Sequence, residues 1–355
     1  MTKPLTLDMS RITQLMRDGQ LSEATRMIQT GLSGDASPQA ATQMPFPQMA
    51  FPQGGFQKPA FAAPSLDGLR RGGGSAVTVP EGGQWTWRTH QGAGQTREVR
   101  VYVPASLGEE APAGLLLLLH GCTQDPDDFA RGTAILQAAE RDRMIVVAPA
   151  QPTSANMNRC WTWFDPRHAA TDGGEAAFLV DLTRTVAQEH AVPPDRRFAA
   201  GLSAGGAMAV ILGAVFADDF GAVACHSGLP NGAARDMGGA FAAMSQGGPG
   251  QGAGVGCRLF VIHGTADRTV TPRNAEAVLD QALRRQPGLT RRAADARLEG
   301  HAVSIGRHRD ADGQLRIQTW TVQGLGHAWS GGAPEGSHTA PGPDATEAMM
   351  RFFLD

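Results

Sequence analysis

The 355-residue sequence has no long apolar run. Runs such as Leu115–Leu119 are far too short to cross a bilayer, which argues against a helical membrane span. The opening residues, MTKPLTLDMSRITQLMRDGQ, alternate charged and apolar side chains and lack the apolar core of a secretory leader, so no signal peptide is expected. An excess of charge of one sign is missing too. With 31 Lys and Arg against 34 Asp and Glu the formal net charge is −3, which gives no electrostatic case for nucleic acid or for an anionic membrane surface. Cysteine is scarce: Cys122, Cys160, Cys225 and Cys257 form no C-x-x-C pair and no His/Cys cluster at zinc spacing, so a structural metal is not expected. The four read as small buried hydrophobes. Disulfides would instead suit an exported protein, and with no leader in view the compartment stays open.

What is present is ordinary globular material, 41% hydrophobic and 18% charged, and long enough for one large domain with additions. Residues 1–33 carry Ile12, Leu15, Met16, Leu21, Ala24, Met27, Ile28 and Leu32 at spacings that predict a short helical hairpin. Residues 34–78 are rich in Pro, Gln, Phe and Gly without a period, and read as a disordered linker. Its repeated aromatic–proline pairs leave two readings, a passive tether or a segment that sticks to an apolar polymer or granule surface.

From residue 79 the texture is that of an α/β domain. QWTWRTH and REVRVYVP alternate like the arms of a hairpin. GLLLLLHG, MIVVAPA, RRFAAGLS, FGAVACHSG and RLFVIHG are continuous apolar runs of the kind found in buried central strands. Helical segments separate them: TAILQAAERDR, GEAAFLVDLTRTVAQEH, AGGAMAVILGAVF and TPRNAEAVLDQALRRQ. A late strand, LRIQTWTVQG, and a closing helix, DATEAMMRFFL, complete the pattern. Apolar strands alternating with helices predict a mostly parallel sheet covered on both faces, with its reactive site at the carboxyl ends of the strands.

Ser203 lies in Gly201-Leu202-Ser203-Ala204-Gly205, a match to G-x-S-x-G. In a chain with 45 glycines the pattern alone says little, but here a strand precedes it and a helix follows, the context a nucleophile elbow needs. A plain helix-capping serine would need no glycine two residues before it. A serine hydroxyl needs a base, and the base needs a carboxylate, in the chain order Ser, Asp or Glu, His. Asp267 follows the strand RLFVIHG in a polar loop. His327 follows the late strand in LGHAWSGG and fits the base by order and context better than His226, His263, His301, His308 or His338. The oxyanion donors expected are the amide of Ala204 and, from the loop HGCTQ, the amide of Cys122. His120 reads as a structural hydrogen-bonder. The chemistry these residues suit is ester hydrolysis through an acyl-enzyme, with no metal or organic cofactor required.

Taken together, LLLLLHGCTQDPDDFARGT, NRCWTWFDP, GEAAFLVDLTRTVAQEHAVPPDRRFAAGLSAGGAMA, VIHGTADRTVTP and GLGHAWSGG resemble the polyhydroxybutyrate depolymerase family of esterases, which is related to feruloyl and acetylxylan esterases of the α/β-hydrolase fold. The resemblance runs collinearly over roughly residues 84–355. It implies Ser203, Asp267 and His327 as triad and Cys122 at the oxyanion loop. It also implies Trp161 near the acyl pocket and a Cys122–Cys160 disulfide joining the oxyanion loop to the tryptophan loop; for Cys225 and Cys257 it implies nothing. The substrate implied is a polyhydroxyalkanoate or a short-chain ester. Feruloyl or acetylxylan esters are the alternative, a peptidase is disfavoured for want of a peptide subsite, and a non-catalytic granule-binding protein is the alternative of another class. Trp163 and Phe164 read as core, and the Gly/Ala-rich segment 232–254 as a mobile flap over the site.

Overall fold

The computed structural model describes residues 76–355, apart from residue 109. The expected hairpin at 1–33 and nearly all of the linker at 34–78 lie outside the described residues. The strands are β1 (Gln84–Gly92), β2 (Gln95–Val103), β3 (Gly114–Leu119), β4 (Met144–Pro149), β5 (Arg197–Leu202), β6 (Ala222–His226), β7 (Arg258–Gly264), β8 (Thr290–Leu298), β9 (His301–Arg309), β10 (Leu315–Val322), β11 (Trp329–Ser330) and β12 (Thr339–Ala340). The α-helices are α1 (Pro126–Thr133), α2 (Ile135–Arg141), α3 (Gly174–Glu189), α4 (Ala204–Val215), α5 (Met237–Gln246), α6 (Arg273–Arg285) and α7 (Ala345–Leu354).

Ten strands form one sheet in the order β1-β2-β4-β3-β5-β6-β7-β10-β9-β8, and β11 pairs with β12. The six central strands, β4 to β10 in that order, are parallel, and an antiparallel pair flanks them on each side. Side chains alternate across a strand, so the leucine run of β3 is divided between two cores. Leu115, Leu117 and Leu119 face one core with α3, α4 and α6, whereas Leu116 and Leu118 face the other with α1, α2 and α7. β4 and β7 divide their apolar residues in the same way, which is why these strands are apolar throughout rather than alternating with polar residues.

Three elements differ from expectation. TAILQAAERDR is helical over α2, as expected, but a further helix precedes it: Asp125 caps α1 with its side chain on Asp128 N, and Ala134, with φ 51°, turns the chain from α1 into α2. β8, TRRAADARL, is an edge strand in which only Ala296 and Leu298 are partly buried, so it lacks the apolar alternation that signals a half-buried strand. The segment 232–254 is not a free flap. It contains α5, Thr271 N donates to Met244 O, and Gln281 bridges Asn231 and Gly252 carbonyls at 2.8 and 2.7 Å.

Candidate active site

The turn from β5 into α4 is built by exclusion of side chains. A Cβ on Gly205 would overlap the Leu119 carbonyl of neighbouring β3, and one on Gly201 would overlap the backbone of Gly205. With both absent, α4 starts hard against the sheet and Ser203 takes φ 57°, ψ −117°, a left-handed conformation that costs a non-glycine residue about 1–3 kcal/mol. Ser203 N donates to His226 O at 2.9 Å, while the hydroxyl makes no cap bond to α4. The serine is therefore held at the carboxyl edge of the sheet, at the positive end of a helix, with its hydroxyl uncommitted.

Asp267 lies in the loop after β7 with its side chain fully buried, and His327 in the loop after β10, the neighbouring strand. Thr265 N on Val322 O and Ala266 N on Leu325 O, both 3.0 Å, clip the two loops together. Asp267 Oδ1 accepts the amides of Thr269 and Val270, each at 2.9 Å. Oδ2 is thereby aimed at His327 Nδ1, 2.7 Å away. A carboxylate accepts only, so Nδ1 carries the proton and Nε2 is bare. Burial alone would raise the Asp267 carboxyl. Hydrogen bonds from His263 and His327 and from the Val270 amide reverse this and hold it well below the usual carboxylate range. The structure thus joins Asp267 to His327 and sets Ser203 at the same sheet edge, while no hydrogen bond between Ser203 and His327 is formed.

The loop after β3 is fixed from several sides. His120 Nδ1 donates to Gly121 O at 2.8 Å, and its Nε2 accepts Gln151 N at 3.2 Å. Gln124 Oε1 accepts Gly121 N at 2.9 Å, and Thr123 N reaches Asn158 O at 2.6 Å. Cys122 and Cys160 are joined by a disulfide with their Cα atoms 4.2 Å apart. Amid these bonds Cys122 N donates to no acceptor among the described residues, and Ala204 N opens α4 with no carbonyl one turn behind it. An oxyanion hole requires amides left uncommitted in this way.

One expectation is corrected here. Trp161 does not line a pocket: it is 0% exposed, its Nε1 donates to His120 O at 3.1 Å, and its ring lies against the Arg97 guanidinium, 5.2 Å from its centroid. It supports the oxyanion loop from beneath. Cys225 and Cys257 are buried free thiols. Among the rival histidines, His338 sits at the rim, 3.4 Å from Thr123 Oγ1, and His308 is buried in the β9 strand. Sequence reasoning missed the polar support, Arg97, Gln151 and Glu175 behind the tryptophan loop, and gave His226 and His263 no role. The available signal was a glutamate directly before the apolar run Ala176–Val180, Glu175, which accepts Thr162 N at 2.7 Å.

His120 and His226 are fully buried, and burial pushes them down to about 4 and about 3; for His226 the neighbouring His263 and His327 act in the same sense and Asp267 in the opposite one. The folded chain therefore keeps both neutral while the unfolded chain protonates them below about 6.5. Their stabilisation is complete above that pH and is lost as pH falls toward 4, on the order of 3 kcal/mol per histidine at pH 4. Asp267 adds its own loss only below the ordinary aspartate range. The melting temperature is thus expected to fall steadily from about pH 7 to 4.5. A flat profile over that interval contradicts the neutral assignment.

No helix among the described residues is long and apolar enough to cross a membrane. The chain is 29% identical to poly(3-hydroxyalkanoate) depolymerase C of Paucimonas lemoignei, over 64% of this chain and 57% of that protein. It is 27% identical to poly(3-hydroxybutyrate) depolymerase of Ralstonia pickettii, over 76% of this chain and 59% of that one. It therefore spans less than three-fifths of the length of these curated relatives. An acetyl xylan esterase structure from Aspergillus awamori superposes with a TM-score of 0.57 at 17% identity, covering 76% of this chain and 98% of that one, a shared α/β-hydrolase fold. The family described as esterase PHB depolymerase matches residues 99–303, which include Ser203 and Asp267 and end before His327. With more than half its length matched, the chain belongs to the esterase PHB depolymerase family.

Proposed function

We propose that the chain is a serine carboxylic-ester hydrolase acting on short-chain hydroxyalkanoate esters, polymeric or soluble. The observation that carries this reading is the 2.7 Å bond from His327 Nδ1 to buried Asp267, which leaves a bare Nε2 at the sheet edge that bears the left-handed Ser203. Ser203 Oγ attacks the ester carbonyl carbon as His327 Nε2 takes its proton, and Asp267 stabilises the imidazolium. The amides of Cys122 and Ala204 hold the oxyanion, each worth about 3 kcal/mol in the transition state. The alkoxide leaves with the proton from His327, giving the acyl-enzyme. Water, deprotonated by His327, then releases the acid and restores Ser203. The polyester class is supported by the two depolymerase relatives.

A substrate panel tests it: the full chain with p-nitrophenyl butyrate, suspended poly(3-hydroxybutyrate), methyl ferulate and acetylated xylan. Turnover of the butyrate ester and the polymer, with little of the others, is expected. Faster turnover of ferulate or xylan moves the substrate to plant cell-wall esters. Binding to the polymer without turnover of any ester overturns the hydrolase reading in favour of a granule-binding protein.

A further inference from the structure

We infer that His263, at the end of β7, is a positioning residue for the proposed triad: it is a second imidazole on Asp267 that holds the carboxylate for His327. The inference rests on the reading of Ser203, Asp267 and His327 given above. His263 is only 2% exposed. Its Nε2 lies 2.9 Å from Val270 O and 3.3 Å from Asp267 Oδ2. Both are acceptors, so Nε2 carries the proton and splits it between them. Its Nδ1 is buried and has no partner among the described residues, which leaves that nitrogen bare. A buried imidazole that leaves one nitrogen unsatisfied gives up stability. A side chain serving the core alone would be apolar here.

The two contacts act together. Val270 N already donates to Asp267 Oδ1, and Val270 O accepts from His263, so the turn residue and the histidine grip the carboxylate from both ends. Oδ2 then receives two imidazole N–H groups, His327 at 2.7 Å and His263 at 3.3 Å, and cannot rotate toward one without losing the other. From the neighbouring strand β6, His226 faces this group and spends both ring nitrogens elsewhere, Nδ1 against Ser227 Oγ and Nε2 accepting Ser330 N. His263 is thus the one histidine besides His327 that touches the acid among the described residues.

Two measurements test this. The first is the tautomer of His263 in the wild-type chain, read from ¹⁵N ring shifts of histidine-labelled protein and assigned by comparison with His263→Gln. A protonated Nε2 and a bare Nδ1 are expected, and the reverse tautomer overturns the inference. The second is kinetic, with p-nitrophenyl butyrate, per site titrated by a fluorophosphonate. His263→Leu is expected to lower kcat by about 10- to 100-fold with KM nearly unchanged, as the imidazole of His327 loses its aim. His263→Gln, which keeps a donor near the Nε2 position, restores most of the rate. In an Asp267→Ala background His263→Leu should add almost nothing, because its route through the carboxylate is already gone. The same fold-loss in both backgrounds, or no loss in the first, overturns it. If the leucine variant does not fold, His263→Asn, whose amide is too short to reach Oδ2, takes its place in the cycle. Should the chain hydrolyse no ester, the functional reading fails and the tautomer still decides whether His263 holds Asp267.

Discussion

Ser203→Ala is expected to lower kcat for p-nitrophenyl butyrate by roughly 10⁵- to 10⁶-fold while leaving the melting temperature close to that of the parent chain. Both halves follow from the turn. The hydroxyl makes no cap bond to α4, so its removal takes no hydrogen bond from the helix. The strained φ of 57° is imposed by Gly201 and Gly205 packing against β3, and alanine meets the same strain as serine. What disappears is the only atom placed to form the acyl-enzyme in the proposed mechanism. Residual hydrolysis over water, supplied by the two amides and substrate binding, is what remains of catalysis. A rate within a few-fold of the parent, with the variant folded and free of contaminating esterase, removes Ser203 from the reaction.

Asp267→Asn comes next, with an expected loss of about 10⁴-fold in kcat. The structure decides which way the new amide faces. The amides of Thr269 and Val270 both donate to Oδ1, so the asparagine carbonyl must take that position. Its NH₂ group is then driven toward His327 Nδ1 and His263 Nε2. A donor facing His327 Nδ1 forces the proton onto Nε2, the nitrogen that has to receive the Ser203 proton. The base is thus occupied before the reaction begins, although every atom lies within a few tenths of an ångström of its original place. Asp267→Asn should therefore fall in kcat with KM little changed. A variant that keeps more than about a tenth of the parental kcat would assign the acid elsewhere.

Much of this was readable before any coordinates, for a physical reason. The central strands announce themselves because a strand buried on both faces has no polar side to dilute its apolar run, as Leu115–Leu119 and Met144–Ala148 show. Ser203 was legible because its bend tolerates only small neighbours, a requirement written directly into five consecutive residues. Asp267 and His327 followed from chain order along a sheet. The supports were not legible. Gln151, Arg97 and Glu175 are scattered over the chain, and they meet only because β2, the end of β4 and the start of α3 converge behind the tryptophan loop. Nothing in the local sequence of Arg97 or Gln151 distinguishes them from surface polar residues, and only Glu175, set directly before an apolar run, carries a signal. Trp161 was assigned to substrate for the same reason, since its place near the site was implied but its burial was not. The edge strand β8 escaped because all of it except Ala296 and Leu298 is exposed, which leaves little periodic apolar signal.

The divided leucine run of β3 has a consequence for how the chain can change its length. One residue added within Leu115–Leu119 would swap the occupants of the two cores and carry Cys122 onto the wrong side of the strand end, away from Ala204. No compensating deletion is available further on, since Cys122, Thr123 and Gln124 are each tied to a partner elsewhere in the fold. Among the described residues no strand pairing sets the residue count between β2 and Gly114, whereas strand pairing and side-chain ties set it from Gly114 to Gln124. Insertions should therefore be tolerated at the amino end of this strand and rejected at its carboxyl end, so that the ruler from sheet to oxyanion loop keeps a constant number of residues.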